Sequence, residues 1–352
     1  MATDVASERS GAPGERPAAP APPPDRPPAR VRAAIGPADL LFRGYLRGGG
    51  GAVLVVMTLV GVFLAYQGYE ALRVGGWEFF TTEEWNPDSG RGAFGIAAVL
   101  VGTVIIALIA LVISVPLALG TALYICEYAP ARSKPTLIAV IDLMAAVPSI
   151  VYALWGFYFL QWGLAGVARW MHTYLGWIPF LDVPGVDPAN PLAGWESTYT
   201  SSSLVAGIVV ALMVTPIACS VMREVFDQAP QGEREGAYAL GATKWGMIRS
   251  VVLPFGAGGI IGGSMLGLGR ALGETIGVYL VISTVFQIQP HILMNGGSSI
   301  PSLIALRYNE ATPFGMSALM AAGLVLFLMT LVVNFAASSI IARSRSGAAS
   351  EA

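Results

Sequence analysis

An arginine and a glutamate four residues apart, Arg270 and Glu274, stand in a stretch that is otherwise apolar and rich in glycine, from about Phe255 to Val285. If such a stretch crosses a membrane, ionised groups inside it are costly, and they mark binding or gating positions more often than packing positions. The planar guanidinium fork of an arginine matches two oxygens of a carboxylate or of a tetrahedral oxyanion. On a continuous helix a spacing of four puts both side chains on one face. Two readings follow: a closed ion pair that ties helices together, or a gate in which the pair opens to admit an anion. Arginine before glutamate is the less favourable order for a stable pair, which favours the gate.

Other chemistries find no support. Cys126 and Cys219 are far apart and read as small buried apolar residues. His172 and His291 have no cysteine or carboxylate cluster at ligand spacing, so no metal site is expected. A phosphate-binding loop needs Gly-Lys followed by Ser or Thr. Lys134 lies between Ser133 and Pro135, and Lys244 between Thr243 and Trp245, so neither lysine fits. No nucleophile–base set is apparent in the apolar stretches, and nothing points to nucleic acid.

The elements that must position Arg270 are read from composition. Of 352 residues, 55% are hydrophobic and 12% charged, against roughly 25% charged in ordinary soluble domains. A soluble surface cannot be covered with so few charges. The apolar residues fall in blocks long enough to cross a ~30 Å hydrocarbon core at 1.5 Å per residue. The expected architecture is all-α and integral to the membrane, with six transmembrane helices at about 53–71, 94–126, 137–160, 204–222, 255–285 and 314–341. Pro116 is expected to kink the second and Pro148 falls inside the third. Arg270 comes about 15 residues into the fifth, roughly 22 Å along it. Glycines such as Gly256, Gly259, Gly263 and Gly267 mark that helix for close packing at the centre of a bundle.

Residues 1–38 are rich in Pro, Ala and Arg and read as a disordered tail. A first helix and outer loop (39–93), a main transmembrane unit (94–343) and a short closing tail (344–352) follow. The arginines of the first segment, with Arg43, Arg47, Arg132, Lys134, Arg223, Arg234, Lys244, Arg249, Arg343 and Arg345, fall on one side of the membrane. Arg73, Arg91, Arg169 and Arg307 fall on the other, among acidic residues and tryptophans. By the positive-inside rule both termini are cytoplasmic. A short helix near Val167–Tyr174 is expected to lie on the outer membrane surface. Asp142, near the cytoplasmic end of its helix, reads as a structural charge that pairs or snorkels.

The cytoplasmic loop before the fifth span is unusually structured. It reads Glu235-Gly236-Ala237-Tyr238-Ala239-Leu240-Gly241, then nine residues, then Val251-Val252-Leu253-Pro254. Ala237, Leu240, Trp245, Ile248 and Val252 recur at helical spacing, so two short helices with one apolar stripe are expected. Gly241 permits the turn between them, and Pro254 is expected to stop the second. Such a stripe wants either a partner groove or a lipid surface.

This loop resembles the EAA loop of the bacterial ABC-importer permeases: Glu-Ala-Ala, three residues, Gly, nine residues, Ile-x-Leu-Pro. Gly236 replaces the first Ala and Val251 the Ile. The resemblance implies a type I ABC importer permease of the MetI-like kind, in which this loop docks on an ATPase subunit. Glu235, Gly236, Ala237, Gly241 and Pro254 would then belong to the coupling element. The string Arg270-Ala271-Leu272-Gly273-Glu274-Thr275 is similar to the signature of the permease subunits of the phosphate-specific (Pst) importer. Val147-Pro148-Ser149-Ile150-Val151-Tyr152 and Pro301-Ser302-Leu303-Ile304-Ala305-Leu306-Arg307 agree, the latter resembling the C-type rather than the A-type subunit. Asp142 departs from the family's Glu and Asn309 from its Gly.

The resemblance implies a bacterial inner-membrane subunit that forms half of a phosphate path, with Arg270, Glu274 and Thr275 at the gate. It also implies partners: a paralogous permease (PstA-like), a dimer of ATPase subunits (PstB-like) and a periplasmic or lipid-anchored phosphate-binding protein (PstS-like). ATP and Mg would be used by the ATPase, with no cofactor bound by this chain. A permease for sulfate or molybdate and an ATP-independent transporter are the alternatives.

Overall fold

The computed structural model describes residues 36–88, 93–188, 190 and 195–345. Most of the expected tail (1–35), Arg91 and residues 346–352 lie outside the described residues. Pro37 already opens a helix, inside the stretch assigned to the tail. Proline is tolerated there because the first turn has no use for its missing N–H.

In chain order the helices are α1 (Pro37–Gly75), α2 (Glu78–Thr81), α3 (Ala97–Leu123), α4 (Lys134–Ala146), α5 (Ser149–Trp155), α6 (Gln161–Leu175), α7 (Trp195–Tyr199), α8 (Ser203–Asp227), α9 (Gln231–Ala239), α10 (Lys244–Met247), α11 (Leu253–Gly273), α12 (Ile276–Val281), α13 (Ile300–Arg307) and α14 (Pro313–Arg345). Three π turns, Tyr124–Tyr128, Gly156–Leu160 and Ile248–Val252, follow α3, α5 and α10. Among the described residues there are only isolated β-bridges, no strands. Packing separates the chain into Met1–Val55 and Val56–Ala352. In the first, the described residues begin α1 and leave Leu40, Leu41, Phe42 and Tyr45 exposed. The remaining helices belong to the second.

Six helical stretches are long and apolar enough to cross a membrane: Asp39–Gly75, Ala97–Tyr128, Ser149–Leu175, Ser203–Asp227, Lys244–Gly273 and Pro313–Ile340. Their number agrees with the sequence. The third and fifth spans differ at both ends. Val147 is extended (ψ 129°) because the ring of Pro148 disfavours a helical residue before it. The third span therefore starts at Ser149, and α4 is a separate helix. That span runs without interruption to Leu175 through a π turn, so Val167–Tyr174 is its last part and not a separate surface helix. The fifth span begins at Lys244, not Phe255, and ends at Gly273.

The centre of the second unit is the packing of α3 against α8 and of α11 against both. Water-driven burial does not bring helices together in hydrocarbon, so close approach of small residues does most of the work. Gly256, Gly259, Gly263 and Gly267 form a stripe on α11 that meets α8. A Cβ at Gly259 would lie 2.6 Å from Val225, one at Gly263 3.0 Å from the carbonyl of Ala218, and one at Gly267 2.5 Å from Val214. Ile106, Ala107 and Ala110 of α3 and Val205 to Val214 of α8 continue this core to Ala271 and Leu272 of α11 and Val278 of α12.

The bundle end away from α9 and α10 is closed by a polar weave. Ser201, with a positive φ of 50°, sends its N–H and hydroxyl to the carboxamide of Gln161, and its carbonyl accepts from Ser283 and Gly296. Ser299 and Ser302 form a capping box at the start of α13, and the Ile300 N–H donates to Thr103 Oγ1 on α3 at 2.9 Å. Gly102, one turn-neighbour of Thr103, leaves no room for a side chain against the Ser298 carbonyl.

Gly102→Ala should therefore lower stability by about 1–3 kcal/mol, the usual cost of overpacking against fixed backbone. Gly120→Ala, which meets open space, should leave it unchanged or raise it. Thermal unfolding in detergent, followed by tryptophan fluorescence, checks both.

Candidate functional site

The residues singled out by sequence fall at the two ends of one long helical run. At one end are α9 and α10, joined by a turn. The turn is a Schellman motif: Ala242 N–H donates to the Ala237 carbonyl at 3.0 Å and Gly241 N–H to the Tyr238 carbonyl at 2.9 Å. Gly241 sits at φ +82°, a conformation that side chains with a Cβ resist. Thr243 then caps α10 by accepting from the Gly246 N–H at 3.1 Å. Glu235 and Gly236 are exposed on α9, and Gly236, Ala237, Leu240 and Val251 line a shallow concavity.

The expected apolar stripe is divided between two directions. Leu240 and Trp245 point outward, Leu240 at 91% exposure. Met247, Ile248 and Val252 are buried among Ala118, Ile125, Met222 and Phe226. Pro254 does not stop the second helix either. The helix continues through the π turn Ile248–Val252, whose wider ring accommodates the proline's missing N–H and its clash with the preceding turn.

Sequence reasoning missed how this loop is fastened. Arg234, on α9 beside Glu235, places Nη1 2.8 Å from Glu127 Oε1 in the π turn that ends α3. Its Nη2 donates to the Phe226 carbonyl near the end of α8 at 2.6 Å. The Glu127 side chain is only 5% exposed. Lys244 Nζ stands 4.6 Å over the ring of Tyr128, in the same π turn; off the loop, Lys134 of α4 pairs with Asp227 at the end of α8 at 2.9 Å. The available signal was an acid at the end of one span and a base next to the loop motif, with no way to tell which acid.

At the other end, α11 stops at Gly273. Arg270 is in its last turn, exposed, and among the described residues it has no hydrogen bond or ion pair. Glu274 is already extended (ψ 118°), so the two do not share a helical face and no ion pair joins them. The Glu274 carboxylate instead accepts from the Gly277 N–H at 3.2 Å and caps α12. Thr275 donates its hydroxyl to the Gly273 carbonyl at 3.2 Å and lines a hollow with Pro301, Ile304 and Tyr308. Ala271 and Leu272, beside Arg270, are buried in the core. The helix thus presents one cation on its open face.

The other candidates are structural in their contacts. Asp142 is exposed on α4 and accepts from the Ser220 hydroxyl of α8 at 3.4 Å, so its partner is neutral. His172 is buried: Nδ1 lies 2.6 Å from the Tyr199 hydroxyl and Nε2 3.3 Å from Asp182. Burial pushes the Tyr199 phenol up, while Arg169 pulls it down. These contacts staple the segment after α6 to α7. Among the described residues no group of His, Cys, Asp and Glu is arranged to hold a metal ion.

Residues 114–346 match the family of binding-protein-dependent transport system inner membrane components, and the chain belongs to that family. It is a multi-pass protein of the bacterial inner membrane and a permease that works with other subunits. It is 37% identical over 304 residues to the phosphate transport system permease protein PstC 2 of Mycobacterium bovis, covering 86% of this chain and 91% of that one. It is 39% identical over 281 residues to PstC of Mycobacterium leprae, covering 79% and 85%. A bacterial ABC transporter involved in the import of the acidic polysaccharide alginate shares the fold, with a TM-score of 0.50 at 16% identity over 86% of this chain and 98% of that one.

Replacing Gly241 by valine should strain the turn by roughly 1–2 kcal/mol, the cost of a left-handed backbone with a Cβ. Amide hydrogen exchange at 236–242 should then quicken about tenfold, and Gly236→Ala, in open space, should not change it.

Proposed function

We propose that the chain is the C-type permease subunit of an ATP-driven phosphate importer and forms half of the path for inorganic phosphate with a paralogous permease. The observation that carries this reading is Arg270: a guanidinium exposed and unpaired on an otherwise apolar span. Facing lipid, such a group would cost several kcal/mol. Covered by a second permease, it lines a shared, wet path and offers a fork of N–H donors to a tetrahedral oxyanion. Glu274, committed to capping α12, leaves that fork free. It also sets a negative charge near the path, and Thr275 adds a hydroxyl. The similarity to permeases named for phosphate transport selects the anion.

The coupling end supports the ATP-driven part. Glu235, Gly236, Ala237, Gly241 and Pro254 belong to a loop whose exposed Leu240 and Trp245 suit the cleft of an ATPase subunit. By the positive-inside rule, the basic residues gathered there support a cytoplasmic position for this end and for both termini. The opposite end then receives a periplasmic or lipid-anchored phosphate-binding protein. The chain itself is not catalytic and binds no cofactor; a dimer of ATPase subunits uses ATP and Mg. ATP-driven closure of that dimer pulls the loops of both permeases and opens the path outward. Phosphate enters, and hydrolysis resets the gate.

Proteoliposomes test this directly. Uptake of labelled phosphate should require the ATPase, the second permease and the binding protein, and arsenate but not sulfate should compete. Arg270→Gln should leave the complex assembled and reduce uptake at least about tenfold, since a hydrogen bond to a charged group contributes ~1.5–3 kcal/mol. Uptake by this chain alone, or full uptake by the variant, would refute the reading.

A further inference from the structure

We propose that Glu127 is a positioning residue through which movement of the α9 arm of the loop reaches α3 and α8. This rests on the reading of 235–254 as the ATPase-coupling loop. The two arms of that loop are attached in different ways. The second arm, α10, runs through a π turn straight into α11 and is anchored by buried Met247, Ile248 and Val252. The first arm, α9, has no buried residue at all. Ala237 alone of α9 packs, partly buried, against the core, so the firmest attachment of this arm beyond the chain itself is polar.

That attachment is Arg234. One guanidinium nitrogen, Nη1, forms an ion pair with Glu127 in the π turn of α3, at 2.8 Å, and Nη2 donates a hydrogen bond to the Phe226 carbonyl near the end of α8, at 2.6 Å. Glu127 is almost entirely buried and Arg234 largely so. Apolar side chains of equal volume would hold such a contact at least as stably, so stability alone does not explain a buried ion pair. What the fork adds is direction. It fixes α9 to two span ends at once, at defined distances, where an apolar contact could slide. Tyr128, the next residue, carries Lys244 over its ring, so the same π turn also feels the start of α10.

The consequence lies at the far end of the bundle. Ile106, Ala107 and Ala110 of α3 and Val205 to Val214 of α8 pack around Ala271, Leu272 and Val278. These flank the segment of Arg270 and Glu274. A pull on α9 is delivered to α3 and α8 through Glu127 and the Phe226 carbonyl, while a pull on α10 runs along the chain into α11 and reaches α3 and α8 only through the apolar contacts of Met247, Ile248 and Val252.

The test compares Glu127→Gln with Lys134→Ala in the assembled importer. The latter removes the half-exposed Lys134–Asp227 pair nearby. In proteoliposomes, Glu127→Gln should still co-purify with the ATPase but should import at least tenfold less phosphate per ATP hydrolysed. Glu127→Asp should restore part of that ratio, and Lys134→Ala should leave it unchanged. Arg234→Lys, which keeps the charge but not the fork, should behave like Glu127→Gln. A wild-type ratio in Glu127→Gln overturns the proposal. So does loss of ATPase co-purification or of folded complex in both Glu127→Gln and Arg234→Lys, because the pair would then serve only to keep the loop in place. The coupling-loop reading fails separately if Gly241→Val and Leu240→Asp both co-purify with the ATPase as wild type does.

Discussion

The structure depends on how closely α11 can approach α8. In hydrocarbon, an apolar side chain gains little by leaving lipid for another helix, so association must come from contact at short range. The stripe Gly256, Gly259, Gly263 and Gly267 supplies it by removing every Cβ from the face that meets Phe226, Val225, Ala218 and Val214. Everything of functional interest hangs on that seam. It sets where α11 ends and Arg270 emerges, and where the π turn and α10 begin at the other end.

Charge follows a division of labour on this frame. Ion pairs join Glu127 with Arg234 and Lys134 with Asp227 at the loop end, where helix ends must be held in register. Glu274 serves as a helix cap. Arg270, like Arg223 and Arg249, has uncommitted donors among the described residues, but of these three it is the one at the end of α11 away from α9 and α10. A protein that folds in a low-dielectric solvent has strong reason to pair such a group internally. Leaving it open is coherent when the partner arrives from outside the chain.

Much of this was legible in the sequence, for physical reasons. Span length and charge depletion report the membrane directly, so the six helices stood out. The spacing of the glycines reported the face of α11 that packs, and Gly241 reported a left-handed turn. What escaped was whatever depends on one residue's backbone state or on a partner far along the chain. Pro148 looked like a residue within a span, but the extended Val147 before it breaks the helix. Pro254 looked like a stop, but a π turn absorbs it. Glu274 looked like the partner of Arg270 because a helix was assumed to continue past Gly273. Glu127 lies at the end of one span and Arg234 on the loop helix α9, and no local pattern joins them. The stripe through Leu240 and Ile248 was seen as one face, although the chain turns between them at Gly241.

The π turn Ile248–Val252 has a further meaning when the fifth span is considered as a rotor. Such a turn holds one residue more than the α-helical ladder requires, and each residue of an α-helix advances the azimuth by about 100°. The extra residue therefore sets the angular phase of everything beyond it relative to α10. Were it removed, the glycine stripe would swing off α8 and Arg270 would turn with it by about 100°. The phase between the α9–α10 loop and Arg270 is thus written into a single inserted residue.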